Sequence, residues 1–270
     1  MKPERVWIFG DYSQAEARVV AWKGPVPLLK QWFTTGEDVH TNVAKMISRV
    51  VQLKHIKMPG GLFSTHPWAE VPKDSEERQV SKTTVHGNNY DMGEQKFALV
   101  VGLPLENARE LRAIYFAQFP EIRDNYQKGI RESVQKTRTL TTPQGRRIIF
   151  YDTLSEELFR EAYAWYPQST VGDLTSKWFI RCAEHFAKAK DLGLGRWTPG
   201  NIRACSFDIR LQVHDALGVS VPNEIDIIEY TAKKMKSYGE IPLLINGEIL
   251  TIPVDFKVGP SWGELEDMKL

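Results

Sequence analysis

The sequence predicts an α+β fold, with β-type runs towards both ends of the chain and a mostly helical stretch between them. Three observations carry this. Val6-Trp7-Ile8-Phe9-Gly10 is a β-type run ending on Asp11. A second run, Ile209-Arg210-Leu211-Gln212-Val213, leads into Asp215, and Gly218–Pro222 follows as a returning hairpin strand. Between them Arg78, Lys82, His86 and Tyr90 recur every four residues, on a helix one stripe drifting by roughly 40° per step.

The elements follow in chain order. Residues 1–29 read as a strand, the turn at Asp11 and a helix beginning near Ser13. Thr34-Thr35-Gly36-Glu37 is turn-like and hands over to a helix at about Val39–Val51. Residues 52–76, rich in Pro, Gly and charge without a clean period, read as an irregular insertion. The striped helix is predicted from about Ser75 to Met92, although His86-Gly87-Asn88-Asn89 is poor helix sequence. Pro104 suits a first turn and opens a helix carrying Ala108–Phe119; residues 121–137 form another. Thr139–Tyr151 reads as a hairpin around Pro143-Gln144-Gly145. Two helices are predicted at Leu154–Ala164 and Val171–Lys190, the second with an apolar face of Leu174, Trp178, Cys182 and Phe186. A helix at about Glu224–Tyr238 and terminal strands complete the pattern.

The 270 residues suffice for one large domain or two small ones, and 42% hydrophobic content with eight Trp gives material for a core. Cys182 and Cys205 show no metal-ligand spacing, which points to a reduced compartment and away from zinc. Neither a signal peptide nor a membrane-crossing apolar run is present, so a soluble intracellular protein without a membrane partner is expected. Net charge is only +1, but residues 123–147 hold seven Lys/Arg against two acids, while residues 215–270 hold five Lys against ten Asp/Glu. A charge run is ordinarily a solvated face; on a nucleic-acid binder it supplies salt-sensitive phosphate contacts.

Two strand-end carboxylates that meet in space can hold two Mg²⁺ ions and clamp an in-line phosphoryl displacement. Taken singly, each aspartate reads as a surface or turn residue. Two cations at i and i+4 followed by two ring side chains would grip a triphosphate and cover a sugar or base, but periodicity alone leaves that stripe undecided.

Asp11-Tyr12-Ser13-Gln14-Ala15-Glu16-Ala17-Arg18, the segment Arg78–Gly93 and Gln212-Val213-His214-Asp215-Ala216 resemble, in order, motifs A, B and C of the family A DNA polymerases, the bacterial DNA polymerase I type. That family reads approximately DYSQIELR, RxxxKxxxFGxxYG and QVHDE. Gly36-Glu37-Asp38-Val39-His40-Thr41, Phe119-Pro120-Glu121-Ile122-Arg123, Gly145-Arg146-Arg147, Arg160–Asp173 and Ile252–Gly259 with Trp262 resemble further family segments. The likeness runs from about residue 5 to about residue 265.

The resemblance implies a right-hand polymerase palm with a fingers insertion: palm at 1–29, fingers at 30–155, palm again at 156–270. It implies a DNA-directed DNA polymerase acting on a primer–template and deoxynucleoside triphosphates. Asp11, Asp215 and the Tyr12 carbonyl would hold two Mg²⁺ ions. Lys82 and Arg78 would contact the triphosphate, Lys82 also neutralising or protonating the leaving pyrophosphate. His40 matches a β-phosphate contact, Gln14 and His86 face the nucleotide, and Tyr90 matches a ring in the template-base site. Glu16 matches the gate against a ribose 2′-hydroxyl, and read by itself it is also a helix-start acid favoured by the dipole. Arg160 and Gln168 match minor-groove probes, His214 lies beside the primer terminus, and Arg146 and Arg147 join the phosphate contacts. His86 replaces the family's aromatic, Asp91 its Gly, Ala216 its Glu and Ser169 another Gly; Ala15 and Ala17 replace larger aliphatics.

In that family the thumb, the first palm strands and any 3′→5′ exonuclease precede motif A. A separate chain supplying a thumb, and an exonuclease with it, is therefore expected, the sequence being half of a split phage polymerase or a shortened piece. The partner is expected to dock beside Val6–Phe9, and the setting is the cytoplasm of a bacterial or phage-infected cell. Two other readings are a non-catalytic DNA-binding subunit derived from a polymerase and a single-subunit RNA polymerase relative.

Overall fold

The computed structural model describes residues 4–191 and 207–270; Cys205 lies outside the described residues. The first strand, β1 (Arg5–Tyr12), is followed by α1 (Ala15–Lys23), α2 (Pro27–Thr34), α3 (Val39–Leu53), α4 (Glu76–Asn89), α5 (Glu94–Val101) and α6 (Leu105–Gln118). A π-helical segment, Ile122–Gln127, runs into α7 (Lys128–Thr137), then β2 (Thr139–Thr141), β3 (Arg147–Ile149) and α8 (Glu156–Asp191). The chain continues through β4 (Asp208–Val213), β5 (Ala216–Pro222), α9 (Ile225–Gly239), β6 (Leu243–Ile245), β7 (Glu248–Leu250), β8 (Val254–Gly259) and β9 (Glu266–Met268). Two compact units result: a sheet unit, Met1–Ala15 with Gln168–Leu270, and a helical unit, Glu16–Pro167. The α+β class expected from the sequence is what the chain adopts.

In the sheet unit the order is β4-β5-β1-β8-β9 with antiparallel neighbours throughout. The period-2 pattern of β1 buries Val6, Ile8, Gly10 and Tyr12 and leaves Arg5, Trp7, Phe9 and Asp11 on the opposite face. Against the buried face lies Trp178 of α8, fully buried and donating its indole N–H to the Met235 carbonyl of α9 at 2.8 Å. Gly10 makes this possible: a Cβ there would sit 2.8 Å from Phe256 and 2.9 Å from Trp178. Both flanks of β1 are paired, to β5 and to β8, so a partner expected beside Val6–Phe9 would not add a strand to β1. Among the described residues the sheet's free edges belong to β4 and β9.

In the helical unit α4 begins on Ser75, whose hydroxyl accepts the Arg78 amide at 3.3 Å, with Glu76 and Glu77 in the first turn. It continues through His86-Gly87-Asn88-Asn89 against propensity because tertiary contacts support its last turn. Gln127 donates to the Asn88 and Asn89 carbonyls at 2.8 and 3.2 Å. At Gly87 a Cβ would lie 3.1 Å from Phe97 of α5, so the missing side chain permits close helix packing. The eight-residue helices α2 and α5 escape a periodicity reading, being too short to display a period.

The two helices expected at 154–164 and 171–190 are one, α8, with Pro167 inside it. A proline cannot donate to the carbonyl four residues back, here Tyr163. The buried Tyr126 hydroxyl donates to that carbonyl at 2.5 Å, supplying the bond Pro167 cannot make. Among the described residues no helix is long and apolar enough to cross a membrane.

Candidate active site

Asp11 stands near the end of β1, on the outer face of the sheet. It pairs with Ala216 of β5 on one side and with Asp255 of β8 on the other. Asp215 belongs to the two-residue turn joining β4 to β5, where His214 takes a left-handed φ of 50°. The Tyr12 amide donates to the Asp215 carbonyl at 3.2 Å, tying that turn to the end of β1. An irregularity in register between Ile209 and Leu211 lies upstream in β4. The Tyr12 side chain points the other way, its hydroxyl donating to the Gly239 carbonyl at 2.6 Å and its ring 5.1 Å from Trp178, which anchors the backbone beneath the carboxylates.

Burial first, then the charge of Asp215, a hydrogen bond between the two carboxyls and the charge of Asp255 push the Asp11 carboxyl up to about 7; Lys257 offsets this in part. Two carboxylates meeting with so little compensation suit a divalent cation, whose charge relieves the repulsion. Among the described residues no group of three or more His, Cys, Asp and Glu converges as a metal cage.

The helical unit carries a second constellation. Arg78, Lys82, His86 and Tyr90 lie along α4 and its C-cap, none of them fully buried. His40, on α3, is buried, its ring 5.7 Å from that of His86. Burial, then the neighbouring His86, push its pKa down to about 3, with Arg78 and Lys82 adding to the effect and Asp38 opposing it, so His40 is a neutral imidazole. Its Nδ1 is buried without a hydrogen-bond partner. Tyr90 donates its hydroxyl to Glu16 of α1, and burial with that acid holds the phenol well above its ordinary range. Lys82 and His86 line a groove of about 350 Å³ with Gln79, Thr83, Met92 and Val101. Arg160 donates from Nε to the Asp91 carbonyl at 2.8 Å, just beyond α4. Arg146 and Arg147 are carried by the β2–β3 hairpin, and Gln168 is an exposed residue of α8 in the sheet unit. Gln14, of the same unit, adopts φ 49° with its side-chain oxygen buried and unpartnered.

Three acids escaped sequence reasoning as site residues. Asp255 is in the segment Val254–Gly259, whose alternation signals a strand, but only the pairing register sets it against Asp11. Asp38 caps α3 and grips Arg78. Asp91 occupies a left-handed φ of 53°, which explains a glycine at that point of the motif. Asp is among the residues that tolerate this region, and here its carboxylate pairs with Arg112 at 3.1 Å.

The family model of DNA polymerase family A matches residues 1–264. DNA polymerase I of Helicobacter pylori (strain J99) is 26% identical over 265 residues, covering 95% of this chain and 24% of that protein. The thermostable DNA polymerase I of Thermus filiformis is 28% identical over 97% of this chain and 28% of its own length. The DNA polymerase of Mycobacterium phage D29 is 25% identical over 97% of this chain and 36% of its own length. The chain thus spans about a quarter to a third of these relatives. Among solved structures, the POL domain of Pol1 from M. smegmatis, in complex with DNA primer-template and dNTP, superposes with a TM-score of 0.72 at 23% identity, over 97% of this chain and 41% of that one.

Proposed function

The chain belongs to DNA polymerase family A, and from that premise we propose that it is a palm-and-fingers unit adding deoxynucleotides to a primer 3′-hydroxyl on a DNA template. The observation that carries the proposal is the meeting of Asp11 and Asp215, about two hundred residues apart in sequence, at one end of a sheet. Residues 1–29 and 156–270 are read as palm and residues 30–155 as fingers. Asp11, Asp215 and the Tyr12 carbonyl would hold two Mg²⁺ ions. When bound, these supply a lowered pKa for the primer hydroxyl and positive charge for the developing pyrophosphate.

The remaining work falls to the chain's own groups. Arg78 and Lys82 bind the triphosphate, and Lys82 offsets charge on the leaving group. His40, neutral, contributes a hydrogen bond rather than a charge. Gln14 and His86 line the nucleotide site. Glu16, held by Tyr90, closes the space a 2′-hydroxyl would need, which favours deoxynucleotides over the RNA polymerase alternative. Arg160 and Gln168 probe the minor groove, where every pair presents acceptors. His214 borders the primer terminus, while Arg146 and Arg147 hold phosphates. The partners are primer–template DNA and deoxynucleoside triphosphates; the setting is the cytoplasm of a bacterial or phage-infected cell.

The test is primer extension with each deoxynucleotide offered singly, with and without candidate partner chains. Addition of only the templated base, abolished by chelator, is expected. DNA binding without incorporation in every combination would favour the non-catalytic subunit instead.

A further inference from the structure

We propose that Asp38 is a positioning residue for nucleotide binding, fixing the plane of the Arg78 guanidinium so that its remaining N–H groups face the triphosphate. The inference rests on the function proposed above and adds how one of its cations is aimed.

Arg78 donates from Nε to Asp38 Oδ1 at 3.3 Å and from Nη2 to Oδ2 at 2.7 Å. This two-point grip uses one edge of the guanidinium. Nη1 has no hydrogen-bond partner among the described residues, so the other edge remains for a second planar anion. The same Oδ1 accepts the Thr41 amide at 2.7 Å and caps α3. One carboxylate therefore joins the start of the helix bearing His40 to the first turn of the helix bearing Arg78 and Lys82. Burial alone would raise its pKa, but Arg78 and the Thr41 amide outweigh that and hold it at about 2, so it stays charged. Both side chains are about one-fifth exposed, which limits solvent competition.

A fixed negative charge beside a triphosphate site repels the ligand, so geometry must offset that cost. A flexible Arg side chain loses rotamer freedom on binding phosphate; Asp38 removes much of that freedom beforehand. A mere helix cap would not require the grip on Arg78. Serine separates the two roles, because it caps a helix about as well as aspartate but cannot take a guanidinium at two points.

The experiment is calorimetric titration of the whole chain and its Asp38→Ser variant with dTTP, and with inorganic tripolyphosphate as the probe lacking base and sugar, in Mg²⁺ without DNA. Positioning predicts that Asp38→Ser raises Kd about 10-fold for both ligands with thermal stability little changed. It further predicts that the loss largely disappears in an Arg78→Lys background, where there is no guanidinium to aim. A fall in Kd would show that Asp38 only repels the ligand, an unchanged Kd that it only caps α3, and additive effects that it acts independently of Arg78; each overturns the proposal. Should Asp38→Ser fail to fold, Asp38→Asn, which keeps a capping oxygen, carries the same comparison. If the wild-type chain binds neither ligand, the function proposed above fails first.

Discussion

Tyr126→Phe tests the account of α8 at a single atom. The substitution keeps the buried ring, leaves no cavity and removes only the hydroxyl that donates to the Tyr163 carbonyl at 2.5 Å. That carbonyl lacks its ordinary donor because residue 167 is proline, so it becomes a buried acceptor without its partner. Such a loss costs about 1–3 kcal/mol. In a Pro167→Ala background the backbone amide restored at that position can serve the same carbonyl, and removing the hydroxyl should cost well under about 1 kcal/mol. The coupling between the two sites is then on the order of 1–2 kcal/mol. Urea unfolding of the four proteins, followed by far-ultraviolet circular dichroism, measures it through the midpoint and slope. An equal cost of Tyr126→Phe in both backgrounds would refute the claim that Tyr126 replaces the bond Pro167 cannot make.

Glu16→Ala should raise ribonucleotide incorporation relative to deoxynucleotide, with a modest loss of overall rate; an unchanged ratio would reduce Glu16 to a helix-start acid held by Tyr90. In chelator, the raised pKa of Asp11 means that the folded state holds a proton the unfolded state has lost between about pH 4 and pH 7. Its contribution to stability therefore falls as pH rises through that window and is lowest above about 7. Asp11→Asn should be more stable than wild type above about pH 7, with the gap closing towards about pH 4; a gap independent of pH across a series of thermal melts contradicts the electrostatic reading. Asp255→Asn removes one of the charges that raise the Asp11 pKa, so it should lower that pKa in a carboxyl carbon NMR titration; an unmoved titration would remove Asp255 from the site.

Much of this site is legible in the sequence because its signals are local. The alternation of Val6–Phe9 places Asp11 at a strand end, the run into Asp215 announces a hairpin, and Ser75 with Glu76 and Glu77 marks the start of α4. What escaped depends on pairing across long distances. Nothing near Asp255 tells which strand it will oppose, and Asp38 meets Arg78 forty residues on through helix packing rather than period. The two-helix reading of α8 failed because proline is a strong local breaker, while the hydroxyl that compensates it lies on another element. The centrality of β1 was hidden for the same reason, since β8 closes its second flank from near the opposite end of the sequence.

The central claim is that Asp11 and Asp215 together hold the reacting groups, and one measurement addresses it most directly. Single-turnover incorporation of a templated deoxynucleotide is compared among wild type, Asp11→Asn and Asp215→Asn, in saturating primer–template with Mg²⁺ and any partner chain that extension requires. The account predicts loss of incorporation by at least about 10³-fold in either variant, since each carboxamide removes part of the charge clamp, with folding and DNA affinity retained. Incorporation by either purified variant within about 10-fold of wild type would contradict it.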